Sequence, residues 1–278
     1  MELLLVRHLW GVEGEWAELF PRFKARGYQA IEVGIPPEEE RSSLHTLLTT
    51  HELFYIPQIF TSGKNVEEHL HSFQQQVAVA KDFAPLKINC HSGSDTWSFE
   101  ESKEFYAQAL AIEKEAGIPI AHETHRGRIF FYPRITRQLV EAFPDLKLCA
   151  DLSHWVCVCE RLLDDQIETL KVCARQTIHL HARVGYEEGP QVPDPRLQAY
   201  QQYVEAHERW WEIIWAAQAA QGVEQSTLTP EFGPPPYLHT VPTTQQPVAD
   251  LEEICDWQAQ RQLAHFAHFT QVRSSSNS

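Results

Sequence analysis

Four residues that can hold or move a charge close four successive apolar runs in the second half of the chain. They are Glu123 in IPIAHE, Asp151 in LKLCAD, His181 in TIHLHA and Glu231 in STLTPE. A strand turns alternate side chains to one face. Parity therefore sets Glu123 opposite Ile118 and Ile120, Asp151 opposite Leu146 and Leu148, His181 opposite Ile178 and Leu180, and Glu231 opposite Leu228. If the aliphatic faces pack on helices, the four polar side chains converge. Three carboxylates in a low-dielectric cavity need a counter-charge, and one divalent metal ion is the simplest. Two Glu, one Asp and one His make an oxygen-rich set with one nitrogen, suited to Mn²⁺, Mg²⁺, Co²⁺ or Zn²⁺ without choosing among them. Singly, each residue reads equally as a helix-capping acid or a solvated rim charge. Recurrence on four consecutive strand ends sets the group apart.

The elements that would position them recur along the whole chain. Eight strands are predicted at 3–8, 30–35, 54–60, 86–91, 118–123, 146–151, 177–182 and 226–231, with eight helix-like segments between and after them. Asn65 with Glu68 and Ser98 with Glu101 carry N-cap spacing, and Gly117 and Gly222 read as helix stops. Alternating strands and helices argue for a parallel sheet with right-handed crossovers. Eight such units predict an α/β fold, a (β/α)8 TIM barrel of one domain over residues 1–271, with 272–278 a frayed tail. The other arrangement considered is an open doubly wound sheet. No GxGxxG or GxxxxGK[ST] follows a strand, so nucleotide binding of those kinds has no support. The loop VGYEEGPQVPDP lengthens the connection after strand seven and is expected on the catalytic face as a lid.

The bulk numbers narrow the class further. A chain of 278 residues, 43% apolar and 22% charged, is the composition of a globular protein. No run approaches the roughly 20 apolar residues that span a bilayer, so no membrane association is expected. The N-terminus has no basic lead-in and reads as a first strand, and the protein as cytoplasmic. A net charge of −15 repels phosphate backbones, so no nucleic-acid partner is expected. The six cysteines show no CxxC spacing and read as reduced, mostly buried thiols.

The stretches AHETHRGR (121–128), CADLSHW (149–155), HLHARVG (179–185) and TPEFGPPPY (229–237) resemble the sugar isomerase/epimerase branch of the xylose-isomerase-like barrel superfamily. The resemblance implies that Glu123, Asp151, His181 and Glu231 are the metal ligands. It implies a small sugar or polyol as substrate, and a homodimer. It also implies that Glu123 and Glu231 are catalytic and move the proton. A hydrogen next to a carbonyl is too weakly acidic for an unaided carboxylate, and a metal on the two neighbouring oxygens stabilises the enediolate. One carboxylate then removes the proton and the other returns it.

In the same pattern His154, in DxxH, and His91, in NCHSGSD, are implied to be substrate-binding. Glu32, in IEVG, resembles a family position or else anchors the barrel interior. Arg126 and Arg183 bind a substrate oxygen or form rim salt bridges. Trp97 and Trp155 wall the pocket or pack beneath a loop. His8 and His179 suit packing roles. A metal-dependent dehydratase or lyase on a cyclic polyol is related chemistry, and a non-catalytic sugar-binding barrel is a further reading. The endonuclease IV-like branch is disfavoured, because no DxH follows His181 and strand three ends in QIFTSG without a histidine. The helix HERWWEIIW either packs on the barrel or supplies a dimer surface.

Overall fold

The structure is a computed structural model that describes residues 1–276. Eight strands run β1 Glu2–His8, β2 Ala30–Gly34, β3 Phe54–Phe60, β4 Ile88–His91, β5 Ile120–Glu123, β6 Lys147–Ala150, β7 Thr177–His181 and β8 Gln225–Thr229. All neighbours pair in parallel and in sequence order, and β1 pairs with β8 to close the barrel. The helices are α1 Trp16–Ala25, α2 Glu38–Thr50, α3 Val66–Lys81, α4 Phe99–Ala116, α5 Pro133–Ala142, α6 Leu152–Cys159, α7 Ile167–Ala174, α8 Gln201–Ala220 and α9 Leu251–Ser276. The expected one-to-one alternation breaks between β6 and β7, where α6 and α7 both intervene. The last helix runs to Ser276, into the segment expected to fray, and residues 277–278 lie outside the described residues.

Two strand ends fall short of the expected limits for a physical reason. Pro230 has no N–H for the ladder, so β8 stops at Thr229 and Glu231 stands two residues beyond it. Asp151 leaves β6 to become the N-cap of α6, its side chain accepting the Ser153 amide at 3.0 Å. A register shift between Leu148 and Cys149 places Cys149 level with His179 and Ala150 level with Leu180. That shift brings the end of β6 beside the end of β7, where Asp151 and His181 meet.

Outward-facing Ile31, Ile59, Ile88, Ile120, Leu148, Leu180 and Leu228 are fully buried under the helices. Inside the barrel, Leu4, Val6, Ala30 and Ile56 form a separate apolar plug at the N-terminal end of the strands. Above that plug the axis turns polar. The capping box of Ser98 and Glu101 starts α4, and Gly117 closes it in the left-handed region at φ 69°. Asn65 caps α3 by accepting the Glu68 amide at 2.9 Å.

Trp210, Trp211 and Trp215 of α8 are buried within the chain, so that helix packs on the barrel and presents no tryptophan dimer surface. The segment after β7, expected as a lid, is hydrogen-bonded to its surroundings in this structure. Tyr186 and Gly189 bridge each other, Val192 donates its amide to Val184, and Gln191 exchanges two hydrogen bonds with the Gly233 backbone at 3.1 and 2.7 Å. The loops after β7 and β8 are thus tied into one wall. Cys90, Cys149, Cys173 and Cys255 are buried free thiols, and among the described residues no helix is long and apolar enough to cross a membrane.

Candidate active site

The C-terminal ends of β5 to β8 bring the four expected ligands together. One oxygen or nitrogen from each of Glu123, Asp151, His181 and Glu231 lies within 4.8 Å of all the others, and all four residues are buried. Glu123 and Glu231 reach the floor of a cavity of about 410 Å³ that opens at the mouth of the barrel. Its walls include Trp10, Gln58, Phe60 and Tyr237, with His91, His125 and Arg183 also facing it. Asp151 and His181 lie just beneath that floor, fully buried.

Each carboxylate is held by a different set of donors. Glu123 Oε2 accepts Asn89 Nδ2 at 2.7 Å and lies 2.9 Å from His91 Nε2, while its Oε1 is buried without a partner. Asp151 Oδ1 takes the Ser153 amide, and Oδ2 takes Arg183 through Nε at 3.1 Å and through Nη2. Glu231 Oε2 is 2.9 Å from Arg183 Nη2 and 3.0 Å from His181 Nδ1. Those separations are ion-pair distances, yet neither contact is aligned as a hydrogen bond, so Glu231 Oε2 and His181 Nδ1 remain buried and unpartnered. The alignment is the stricter criterion for a hydrogen bond. Three unpartnered buried ligand atoms around one point are what a bound cation would satisfy. The residues present therefore fit a single divalent ion.

Charge within the set is partly balanced by the protein itself. Burial opposes ionisation of Glu123, but His91 and His181 hold its carboxyl well below the ordinary range. Burial likewise opposes Glu231, yet Arg183 and His181 pull it down to about 2. Asp151 goes the other way: burial raises it, with Arg183 opposing. For His181, burial opposes the charge while Cys149 and the carboxylates of Glu231, Glu32 and Glu123 push its pKa well above the usual imidazole value. Arg183 is raised too, its burial outweighed by Asp151 and Glu231. The guanidinium lies against the faces of Tyr237 and Trp10, 5.1 and 5.9 Å from the ring centres, and its Nη1 has no partner.

Not every expected substrate contact faces the cavity. His91 and Arg183 do. His154 is fully buried behind Arg183, accepting Nη2 at 3.1 Å, and its ring lies 3.8 Å from that of His125. Burial, with the Arg183 guanidinium beside it, holds it well below the imidazole range and therefore neutral. Trp155 is buried beneath the loop after β5, donating its indole N–H to the Phe130 carbonyl at 2.9 Å. Glu32 is fully buried below His181 and takes the anchoring alternative. Arg126 stands exposed at the rim over Tyr237, at 5.2 Å. His154, Trp155 and Glu32 are thus fully buried and do not line the cavity.

The sequence reading did not single out Trp10, Gln58, Phe60, Tyr237 or Asn89. Asn89 shares the inward parity of His91, and that alternation was the available signal. Trp10 lies beyond the end of β1 and packs on Gly233, where a Cβ would stand 2.2 Å from the indole. Only a residue without a side chain admits that contact.

No protein-family model and no curated protein sequence matches the chain. Solved structures do. A xylose isomerase-like TIM barrel protein from Mycobacterium smegmatis in complex with magnesium aligns with a TM-score of 0.63 and 12% identity, over 96% of this chain and 97% of that one. The probable 3-DHS dehydratase AsbF from Bacillus anthracis aligns with a TM-score of 0.60 and 14% identity, over 92% and 97%. A sugar phosphate isomerase/epimerase from Parabacteroides distasonis gives a TM-score of 0.59 and 12% identity, over 95% and 94%. A family 2 AP endonuclease from Brucella melitensis shares the same barrel. The structural neighbours are thus xylose isomerase-like TIM barrels, most of them described as enzymes. At such identities the likeness establishes the fold, and the reaction must be argued from the site.

Proposed function

We propose that the protein is a divalent-metal-dependent isomerase or epimerase of a small sugar or polyol, acting by proton transfer next to a carbonyl. The carrying observation is the pair Glu123 and Glu231. They reach one cavity floor from β5 and from beyond β8, walls separated by two intervening strands, and each keeps an unpartnered buried oxygen. The ion that Glu123, Asp151, His181 and Glu231 would hold supplies Lewis acidity, which makes a hydrogen next to a carbonyl removable at neutral pH.

The chain's own residues do the rest. Glu231 is anionic at neutral pH and available as a proton acceptor. Glu123, clamped on one oxygen by Asn89 and His91, lines the same cavity from β5 as the second proton carrier. Arg183 lines the same cavity and is the cation placed to meet a substrate oxygen there. Trp10, Phe60 and Tyr237 shield the floor from water and give the C–H face of a sugar an apolar surface.

Purified protein loaded with Mn²⁺ or Mg²⁺ and incubated in D₂O with a panel of ketoses should exchange the substrate α-hydrogen. Glu231→Gln should lose that exchange. Full exchange in an ion-binding Glu231→Gln protein would remove Glu231 from the proton path. Loss of water from a cyclic hydroxyketone in the same screen would favour the dehydratase reading, for which His91, 2.9 Å from Glu123 and facing the cavity, is the available acid.

A further inference from the structure

The two histidines of β7 end on one carboxylate. Glu32 Oε1 accepts His181 Nε2 at 2.9 Å and Asn89 Nδ2 at 3.0 Å. Its Oε2 accepts His179 Nε2 at 3.2 Å and the Thr229 hydroxyl at 2.5 Å. Four donors on two oxygens leave no place for a proton on the carboxyl. A carboxylate only accepts, so both imidazole Nε2 atoms must carry hydrogen. The donors continue downward in one direction. Lys87 Nζ gives to Thr227 Oγ1 at 3.0 Å, and Thr227 Oγ1 faces His179 Nδ1 at 2.8 Å. The Thr227 hydroxyl also reaches the Ile178 carbonyl at 3.2 Å, so the direction at His179 comes from its own state: burial keeps the ring neutral, and with hydrogen on Nε2 it can only accept on Nδ1.

We infer that Glu32 is a positioning residue that holds the Nε2–H of His181 and so leaves Nδ1 as the nitrogen that gives up its hydrogen to an ion in the ligand set. Nδ1 lies 3.0 Å from Glu231 and 3.6 Å from Glu123 and has no hydrogen-bond partner. A carboxylate behind a ligating histidine fixes tautomer and ring orientation and raises ligand basicity. This inference rests on the proposed reading of Glu123, Asp151, His181 and Glu231 as metal ligands. It assigns Glu32 no contact with substrate.

The test is ion affinity, measured by competition with a chromophoric chelator for Mn²⁺. Glu32→Gln presents an amide N–H₂ to one of the two imidazole N–H groups and should weaken Mn²⁺ binding about 10–100-fold. Thr229→Val removes a donor from the other oxygen and should leave affinity near wild type. A purely structural Glu32 would lower the melting temperature of Glu32→Gln and leave its Mn²⁺ affinity unchanged, which would overturn the inference. Should Glu32→Gln not fold, the wild type decides: long-range ¹H–¹⁵N spectra of the Zn²⁺-loaded protein should place the His181 hydrogen on Nε2. A hydrogen on Nδ1 would overturn the inference. Wild-type protein that binds no divalent ion would overturn the proposed function as well.

Discussion

Arg183 is the counter-charge that the protein itself supplies at the site. Its side chain is 1% exposed, it binds Asp151 through two nitrogens, and it lies 2.9 Å from Glu231. Replacing it by methionine retains much of the bulk between Tyr237 and Trp10 and removes the cation. Two buried carboxylates then lose their shared cation, with only His181 left beside Glu231, and breaking a buried pair in this way costs about 3–5 kcal/mol. Unfolding a chain of 278 residues carries an entropy of about 0.6 kcal/mol per kelvin. Arg183→Met in EDTA should therefore melt about 5–9 °C below wild type. The deficit should shrink toward pH 5, because burial already raises the Asp151 carboxyl and protonation relieves the repulsion. Excess Mn²⁺ should raise the melting temperature of the variant more than that of wild type, since the ion replaces the missing charge. Differential scanning calorimetry at pH 7 with EDTA reads the first effect directly. A variant melting within 1 °C of wild type, on the scale of these estimates, would show that Arg183 does not balance the cluster.

Four further outcomes are expected. His181→Ala should abolish detectable divalent-ion binding. His179→Ala should retain it and lose roughly 1–3 kcal/mol of stability, by taking one donor from buried Glu32; isothermal titration and urea unfolding separate the two. In the ion-free protein, burial pushes His8 and His125 down to about 3 and His207 to about 4, helped at His8 by Arg7 and at His125 by His91. Groups depressed below their unfolded value of 6.5 contribute stability at neutral pH that fades as pH falls toward those folded values, whereas His181, which is raised, works in the opposite sense. The urea midpoint should thus be lower at pH 5 than at pH 7, and equal midpoints would contradict the buried neutral state of these rings. Gly233→Ala should push the Trp10 indole off its seat and weaken ketose binding while sparing Mn²⁺ affinity; ligand titration by tryptophan fluorescence reports it.

The legible part of this site was the part written in strand parity. Glu123, Asp151, His181 and Glu231 each end a run whose aliphatic partners occupy the other face, so alternation alone brought them to one mouth. What stayed hidden depends on contacts between distant segments. Glu32 has the same inward parity as Ala30, and nothing local distinguishes a ligand-facing carboxylate from one sealed under a histidine. The burial of His154 follows from Arg183, 29 residues away, lying across it. The aromatic wall comes from Trp10 and Tyr237 in loops without periodicity, where one close approach at Gly233 decides the geometry.

The polar axis also bears on how the barrel forms and comes apart. Glu32 meets its partners across 57, 147, 149 and 197 residues of chain. Contacts of such separation bear a large loop-closure entropy and form late. The three longest, from His179, His181 and Thr229, cannot be complete until β7 and β8 are in place and β8 has docked on β1. Interactions absent from the folding transition state act mainly on the unfolding rate. The network around Glu32 should therefore slow opening of the closed ring far more than it speeds assembly, giving the mature barrel kinetic persistence from the same carboxylate that orients His181.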